Sequence, residues 1–121
     1  MLGATKIFVV IPAYQAAGTL RTVFARLPVQ LQTRDCTYIV VNDGSRDRTA
    51  EVVRDVMATR ANVRLLEHER NRGYAQAQKT GFAHALTHGA DIVALLHADG
   101  QYAPELLPEL LAPLENDEAA H

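Results

Sequence analysis

Four short hydrophobic runs punctuate an otherwise mixed chain: Lys6–Ile11, Thr37–Asn42, Val63–Glu67 and Asp91–His97. Three of them are dense in Val, Ile and Leu without strict alternation, the pattern of strands covered on both faces. The segments between them carry helical spacing. Leu20, Val23, Phe24 and Leu27 fall at i, i+3, i+4 and i+7, with Thr19 placed to cap the start and Pro28 near the end. Val52, Val53, Val56 and Met57 repeat the pattern after Asp47, a second cap former. A third helix is expected over Tyr74–Thr87, with Ala75, Gln78, Phe82, Ala85 and Leu86 on one face. A fourth follows Pro104 and carries Leu106, Leu107, Leu110 and Leu111, with Pro108 and Pro113 disturbing its ends.

Strand and helix therefore alternate four times. Right-handed crossovers turn that order into an open, mainly parallel α/β sheet with helices on both faces. No tandem repeat, low-complexity tract or linker divides the chain, so residues 1–121 read as a single domain. Sheets of this kind bind ligands at the carboxyl ends of their strands, where the strand order reverses. The residues that follow each strand are the ones to read for chemistry.

Composition narrows the classes. At 121 residues, 48% hydrophobic and 21% charged, the chain is that of a globular domain, which excludes disorder and collagen-like order. The longest apolar stretch, Ile7 to Ala13, contains Pro12 and falls far short of the ~20 residues of a membrane helix. No charged-then-apolar leader opens the chain, and Cys36 is the sole cysteine, which excludes an internal disulfide and a cysteine zinc site. A cytoplasmic setting is expected. All twelve Lys and Arg precede Thr80, and only acidic charges follow it. The basic residues are interleaved with acids and there is no Trp, which argues against nucleic acid but leaves room for a small phosphate-bearing ligand.

The first strand leads into Pro12-Ala13-Tyr14-Gln15-Ala16-Ala17-Gly18. Neither G-x-G-x-x-G nor G-x-x-x-x-G-K-[ST] occurs there, so the dinucleotide and P-loop readings fail. After the second strand, Asn42-Asp43-Gly44-Ser45-Arg46-Asp47-Arg48-Thr49 combines a turn former with cap formers. It also sets Asp43 at a strand tip, where a carboxylate can accept hydrogen bonds from a base edge or ribose. The third loop brings Arg70 and Arg72 before Gly73 at a helix start, an arrangement able to hold a diphosphate. The fourth brings His97-Ala98-Asp99-Gly100-Gln101. In a strand, His97 and Asp99 point to one side and can converge on a cation. A hard divalent ion prefers oxygen, so Asp99 is the firmer ligand, and His97 alone reads first as a hydrogen-bonded structural histidine.

Taken together, VVIPAYQAAGTL, IVVNDGSRDRT, ERNRGYAQAQKTGFAHA and VALLHADGQYAPELL resemble, in order and placement, the nucleotide-sugar-binding half of family 2 glycosyltransferases. The resemblance is to the GT-A-type fold and, within it, to dolichol-phosphate or polyprenyl-phosphate mannosyltransferase-like enzymes. It runs from Ile7 to about Leu114. It implies transfer of a hexose, with inversion, from a UDP-, GDP- or dTDP-linked sugar to a hydroxyl or polyprenyl-phosphate acceptor, at the cytoplasmic face of a membrane in a full-length protein. Pro12, Ala13 and Tyr14 would line the base pocket. Asp43 would hold the base or ribose, with Gly44 and Ser45 forming its turn. Arg72, Gly73 and Ala98 would lie beside the nucleotide, as would Lys79. Asp99 matches the later acid of the D-x-D motif and would bind Mg²⁺ or Mn²⁺ on the diphosphate, with His97 in the place of the first acid. Gln101 would follow beside the donor. Gln15 and Ala16 replace the Asn and Glu that many members carry after the tyrosine.

In that family the acceptor site and its catalytic carboxylate lie downstream of the D-x-D region, so this chain is expected to be the donor-binding part of a longer enzyme, truncated after its fourth strand–helix unit. The rival expectation is a non-catalytic nucleotide-binding module that self-associates through an uncovered sheet edge. A nucleotidyltransferase is disfavoured, because Pro12 to Gly18 holds no Lys or Arg.

Overall fold

The computed structural model describes residues 5–27 and 35–98. Seven elements alternate along them: β1 (Ile7–Ala13), α1 (Ala17–Arg26), β2 (Cys36–Asp43), α2 (Thr49–Thr59), β3 (Val63–His68), α3 (Tyr74–Thr87) and β4 (Ile92–Leu95). The strands form one parallel sheet in the order β3-β2-β1-β4. The order runs outward from β1 to β3 and then jumps back across β1 to β4, so the reversal lies between β1 and β4.

The even and odd positions of β1 divide the core. Ile7, Val9 and Ile11 face α1 and α2, where they meet Leu20, Val23, Phe24, Val53 and Tyr38. Phe8 and Val10 face α3 with Ile39, Val41, Ala77 and Ala85. Burial on both faces is the reason these strands read as continuous apolar runs. Helices on both faces of an open parallel sheet are the architecture the alternation predicts.

The sequence expectation needs three adjustments. The strands extend beyond the predicted runs in β1, β2 and β3, and β4 stops at Leu95, short of His97. Helix α1 starts at Ala17, two residues before Thr19, whose hydroxyl donates to the Ala16 carbonyl instead of capping the helix. Of the expected face of α3, Ala85 is buried and Phe82 packs against the core, but Ala75 and Leu86 are exposed, Leu86 at 68%, and Ala77 and Gly81 are buried in their place. Close approach explains this: a Cβ on Gly81 would lie 2.3 Å from Cγ1 of Val10, so only small residues fit between α3 and the sheet. Side-chain size therefore misleads here. The expected helix after Pro104, together with Pro28, lies outside the described residues.

Candidate functional site at the strand reversal

Among the described residues, hydrogen bonding between β1 and β4 ends with Leu96 N–H donating to the Val10 carbonyl at 2.9 Å. In a parallel strand the backbone groups two residues on point the same way, so the next donor toward β4 would be residue 12. That residue is Pro12, which has no N–H, and pairing stops there without leaving an orphaned donor. The sheet opens at this point into a cavity of about 310 Å³, lined by Pro12, Tyr14, Gln15, Ala16, Thr19, Tyr74, His97 and Ala98. It occupies the topological switch point at the carboxyl ends of the strands. Tyr14 and Tyr74 stand half exposed at 51% and 48%. The Tyr74 ring lies parallel to the His97 imidazole, with centroids 5.7 Å apart and planes 10° apart. Open aromatic faces beside a few polar groups suit a flat, heteroatom-rich ligand.

The wall formed by the β1–α1 loop is locked from outside. Ser45 Oγ accepts the Gln15 N–H at 2.9 Å, Thr49 Oγ1 accepts the Ala16 N–H at 2.9 Å, and Asp47 Oδ2 accepts the Ala17 N–H at 3.2 Å. In return, Gln15 Oε1 accepts the N–H groups of Arg46 and Asp47 at 2.6 and 3.2 Å. Gln15 holds a positive φ of 54° to make this exchange. Helix α1 is thus capped by side chains of the neighbouring loop, and Ser45, Asp47 and Thr49 act there as a structural clasp. Asp47 also caps its own helix, with Oδ1 accepting the Thr49 N–H at 3.0 Å and the Thr49 hydroxyl. Burial pushes the Asp47 carboxyl up, but these donors outweigh it and hold the group below the usual carboxylate range.

Asp43 serves a different wall. Its side chain is only 4% exposed, and its register partner on β3 is His68. His68 Nδ1 lies 2.8 Å from Oδ1, the Arg72 N–H donates to Oδ1 at 2.8 Å, and the Gly73 N–H donates to Oδ2 at 2.9 Å. Burial works to raise this carboxyl, yet the imidazole and the two main-chain donors hold it below its ordinary value. The carboxylate thus takes the two main-chain donors that lead into α3, those of Arg72 and Gly73, just before the first turn of the helix. Its link to the cavity is indirect: Gly73 immediately precedes Tyr74. Gly44 lets the two loops touch, since its φ is 68° and a Cβ there would lie 2.3 Å from the backbone of Arg70 and Asn71.

The remaining candidates divide. Pro12, Tyr14, His97 and Ala98 meet at the cavity, and Ala13 is buried at the end of β1. Arg72 lines a separate groove of about 500 Å³ with Glu67, His68, Glu69 and Arg70. Gly44 and Ser45 line a third, between the tips of β2 and β3. Lys79 is exposed on α3 and does not line the cavity at the reversal. Asp99 and Gln101 lie outside the described residues. Among the described residues no group of three His, Cys, Asp or Glu could hold a metal ion. His97 contributes one imidazole at the cavity rim, and an oxygen-seeking cation needs more. Tyr74, Gln15, Thr19 and His68 do not stand out as site residues in the sequence. The departure at Gln15 was the one local signal among them.

Similarity to known proteins agrees with this geometry. The family described as Glycosyl transferase family 2 matches residues 8–121. The chain is 30% identical over 111 residues to dolichol-phosphate mannosyltransferase of Pyrococcus furiosus, covering 92% of this chain and 30% of that protein. It is 31% identical to UDP-N-acetylglucosamine–dolichyl-phosphate N-acetylglucosaminyltransferase of Methanococcus voltae, covering 92% of this chain and 48% of that one. The chain thus spans less than half the length of either relative. Among solved structures, the mannosyltransferase PcManGT from Pyrobaculum calidifontis, in complex with GDP-Man and Mn²⁺, superposes with a TM-score of 0.65 at 26% identity, covering 81% of this chain and 28% of that one. With a four-stranded parallel sheet of this order, a cavity at its reversal, and a family match over nearly its whole length, the chain belongs to glycosyl transferase family 2.

Proposed function

We propose that this chain is the donor-binding part of a glycosyltransferase that moves a hexose from a nucleoside-diphosphate sugar to a hydroxyl or a polyprenyl phosphate. The observation that carries the reading is the cavity that Pro12 opens between β1 and β4, walled by Tyr14 and Tyr74. The nucleoside enters there, with its base against a tyrosine face. Stacking of a base on an aromatic ring is worth ~1–3 kcal/mol. Ala13 and Ala98 border the nucleoside. The diphosphate would be met by Asp99 and Gln101, which follow Ala98 in the chain, with the Arg72 guanidinium on a neighbouring groove and Lys79 further along α3. Gly44, Ser45 and Asp43 hold the loops that shape the pocket.

Transfer is a single displacement with inversion. The acceptor oxygen attacks the anomeric carbon, a hydroxyl acceptor giving its proton to the carboxylate base expected downstream of the D-x-D region, and the bond to the diphosphate breaks with its electron pair leaving on the diphosphate. Positioning and electrostatics supply the rate, because the donor already carries a good leaving group. Asp99 is the oxygen ligand proposed for Mg²⁺ or Mn²⁺, whose charge would offset that of the diphosphate. The Mn²⁺ and GDP-Man in the Pyrobaculum structure support this choice of ligands. Among the described residues no helix is long and apolar enough to cross a membrane. In this reading the full-length protein works at the cytoplasmic face of a membrane, where a polyprenyl-phosphate acceptor would lie.

Calorimetric titration of the chain with UDP-, GDP- and dTDP-sugars, with and without Mn²⁺, tests the reading. Saturable binding of one donor, weakened about tenfold by Tyr74→Ala, is expected. Absence of heat with all three would refute it. Product formation by the full-length protein, and none by an Asp99→Ala variant that still binds the nucleoside, separates a transferase from a non-catalytic nucleotide module.

A further inference from the structure

His68 is a buried imidazole outside the cavity, with both ring nitrogens engaged. Nδ1 meets Asp43 Oδ1 at 2.8 Å, and Nε2 meets Thr80 Oγ1 at 2.8 Å. Its side chain is 6% exposed. In the neutral ring, Nδ1–H donates to the carboxylate and Nε2 accepts the Thr80 hydroxyl, so the acceptor on β2 selects the tautomer. One ring therefore joins three elements: its own strand β3, the tip of β2, and α3.

The placement of those contacts on α3 matters. Asp43 holds the helix at its start, through the N–H groups of Arg72 and Gly73. His68 holds it at Thr80, two turns further along. A helix tied at one point can still slide or roll, whereas two ties two turns apart fix its position along its axis and its rotation. Gly81, beside Thr80, lies so close to Val10 that the fit there depends on that position. The first residue of α3 is Tyr74, whose ring forms a wall of the cavity and stacks on His97.

We propose that His68 and Thr80 are positioning residues for the nucleotide site: acting with Asp43, they set the place of α3 and so of the Tyr74 ring. The proposal rests on the reading of that cavity as a nucleotide pocket. It also defines the task of Asp43, the shared anchor for His68, Arg72 and Gly73.

The test uses the full chain and four proteins: wild type, Thr80→Val, Thr80→Ser and His68→Phe. Thr80→Val keeps the side-chain shape and removes the hydroxyl, while Thr80→Ser keeps the hydroxyl. Calorimetry with UDP or GDP in the presence of Mn²⁺ is expected to show affinity about threefold to fivefold weaker in Thr80→Val, near wild type in Thr80→Ser, and about tenfold or more weaker in His68→Phe. The NMR signals of the Tyr74 ring and of the Arg72 and Gly73 amides should shift in Thr80→Val and return in Thr80→Ser. His68→Phe leaves a buried carboxylate short of a donor, and if it does not fold, the threonine pair decides. A folded Thr80→Val with wild-type affinity and unmoved Tyr74 signals would overturn the proposal, as would a loss that serine does not restore. Should wild type bind neither nucleotide, the proposed function fails, and the Tyr74 and amide signals alone decide whether the anchor positions α3.

Discussion

The main-chain nitrogen of Gly73 donates to Oδ2 of Asp43 at 2.9 Å, across 30 residues of sequence. With Arg72 bonded to the other carboxylate oxygen, one side chain from β2 satisfies two donors at the entry to α3. An amide in its place can accept at one oxygen only, and its NH₂ would face a donor. Asp43→Asn is expected to lower stability by ~2–3 kcal/mol at neutral pH, read by urea denaturation. An unchanged midpoint would show that these bonds contribute nothing net.

Acid should expose the same contacts. Asp43 and Asp47 both have folded-state carboxyls held below their ordinary range. Groups of this kind contribute stability that is fully present above the unfolded value, near pH ~4, and is lost as pH falls through the lower folded value. The unfolding free energy of wild type should therefore decline on acidification below pH ~4, and Asp43→Asn should decline less steeply. Parallel slopes would contradict the assignment.

The clasp between the first two loops is tested at Thr49, which is wholly buried. Thr49→Val removes the acceptor for the Ala16 N–H and leaves that donor unpaired inside the protein. A loss of ~1–3 kcal/mol is expected, with faster hydrogen exchange at Ala16 and Ala17. Exchange unchanged at those amides would mean the loop is held by other contacts.

Gly81→Ala sets helix propensity against packing. Alanine favours the helix by ~1 kcal/mol, but its Cβ would meet a β-branched valine fixed within the central strand. Packing should win, and thermal unfolding should show net destabilisation of ~1–3 kcal/mol. A stabilised variant would mean that α3 can move away from the sheet.

These particulars also mark what was legible in the sequence. The order of strands and helices followed from local pattern, because strands buried on both faces and amphipathic helices carry their periods in the chain. The span Tyr74–Thr87 is legible as α3, and its buried face in part: Ala85 is buried and Phe82 packs against the core as the spacing indicates, whereas Leu86 is exposed and Ala77 and Gly81 are buried, a consequence of a close approach that no local pattern encodes. At the site, Pro12 and Tyr14 were legible because they directly follow an apolar run. The engagement of Asp43 was not, since it depends on strand register with His68 and on a loop that returns 29 residues later. The string Ser45-Arg46-Asp47-Arg48-Thr49 read as a turn before a helix, and its second task, capping the helix of the preceding unit, appears only once β1 and β2 lie side by side. Tyr74 reaches the cavity through tertiary packing alone.

Two-dimensional NMR of the chain saturated with UDP or GDP and Mg²⁺ shows whether a nucleotide's base lies between β1 and β4 against Tyr14 or Tyr74, as proposed. Nuclear Overhauser contacts are expected between the base protons and the ring protons of Tyr14 or Tyr74, abolished when both tyrosines are replaced by alanine. Base contacts confined to the groove of Glu67, Glu69 and Arg70, or no saturable binding of either nucleotide, would contradict it.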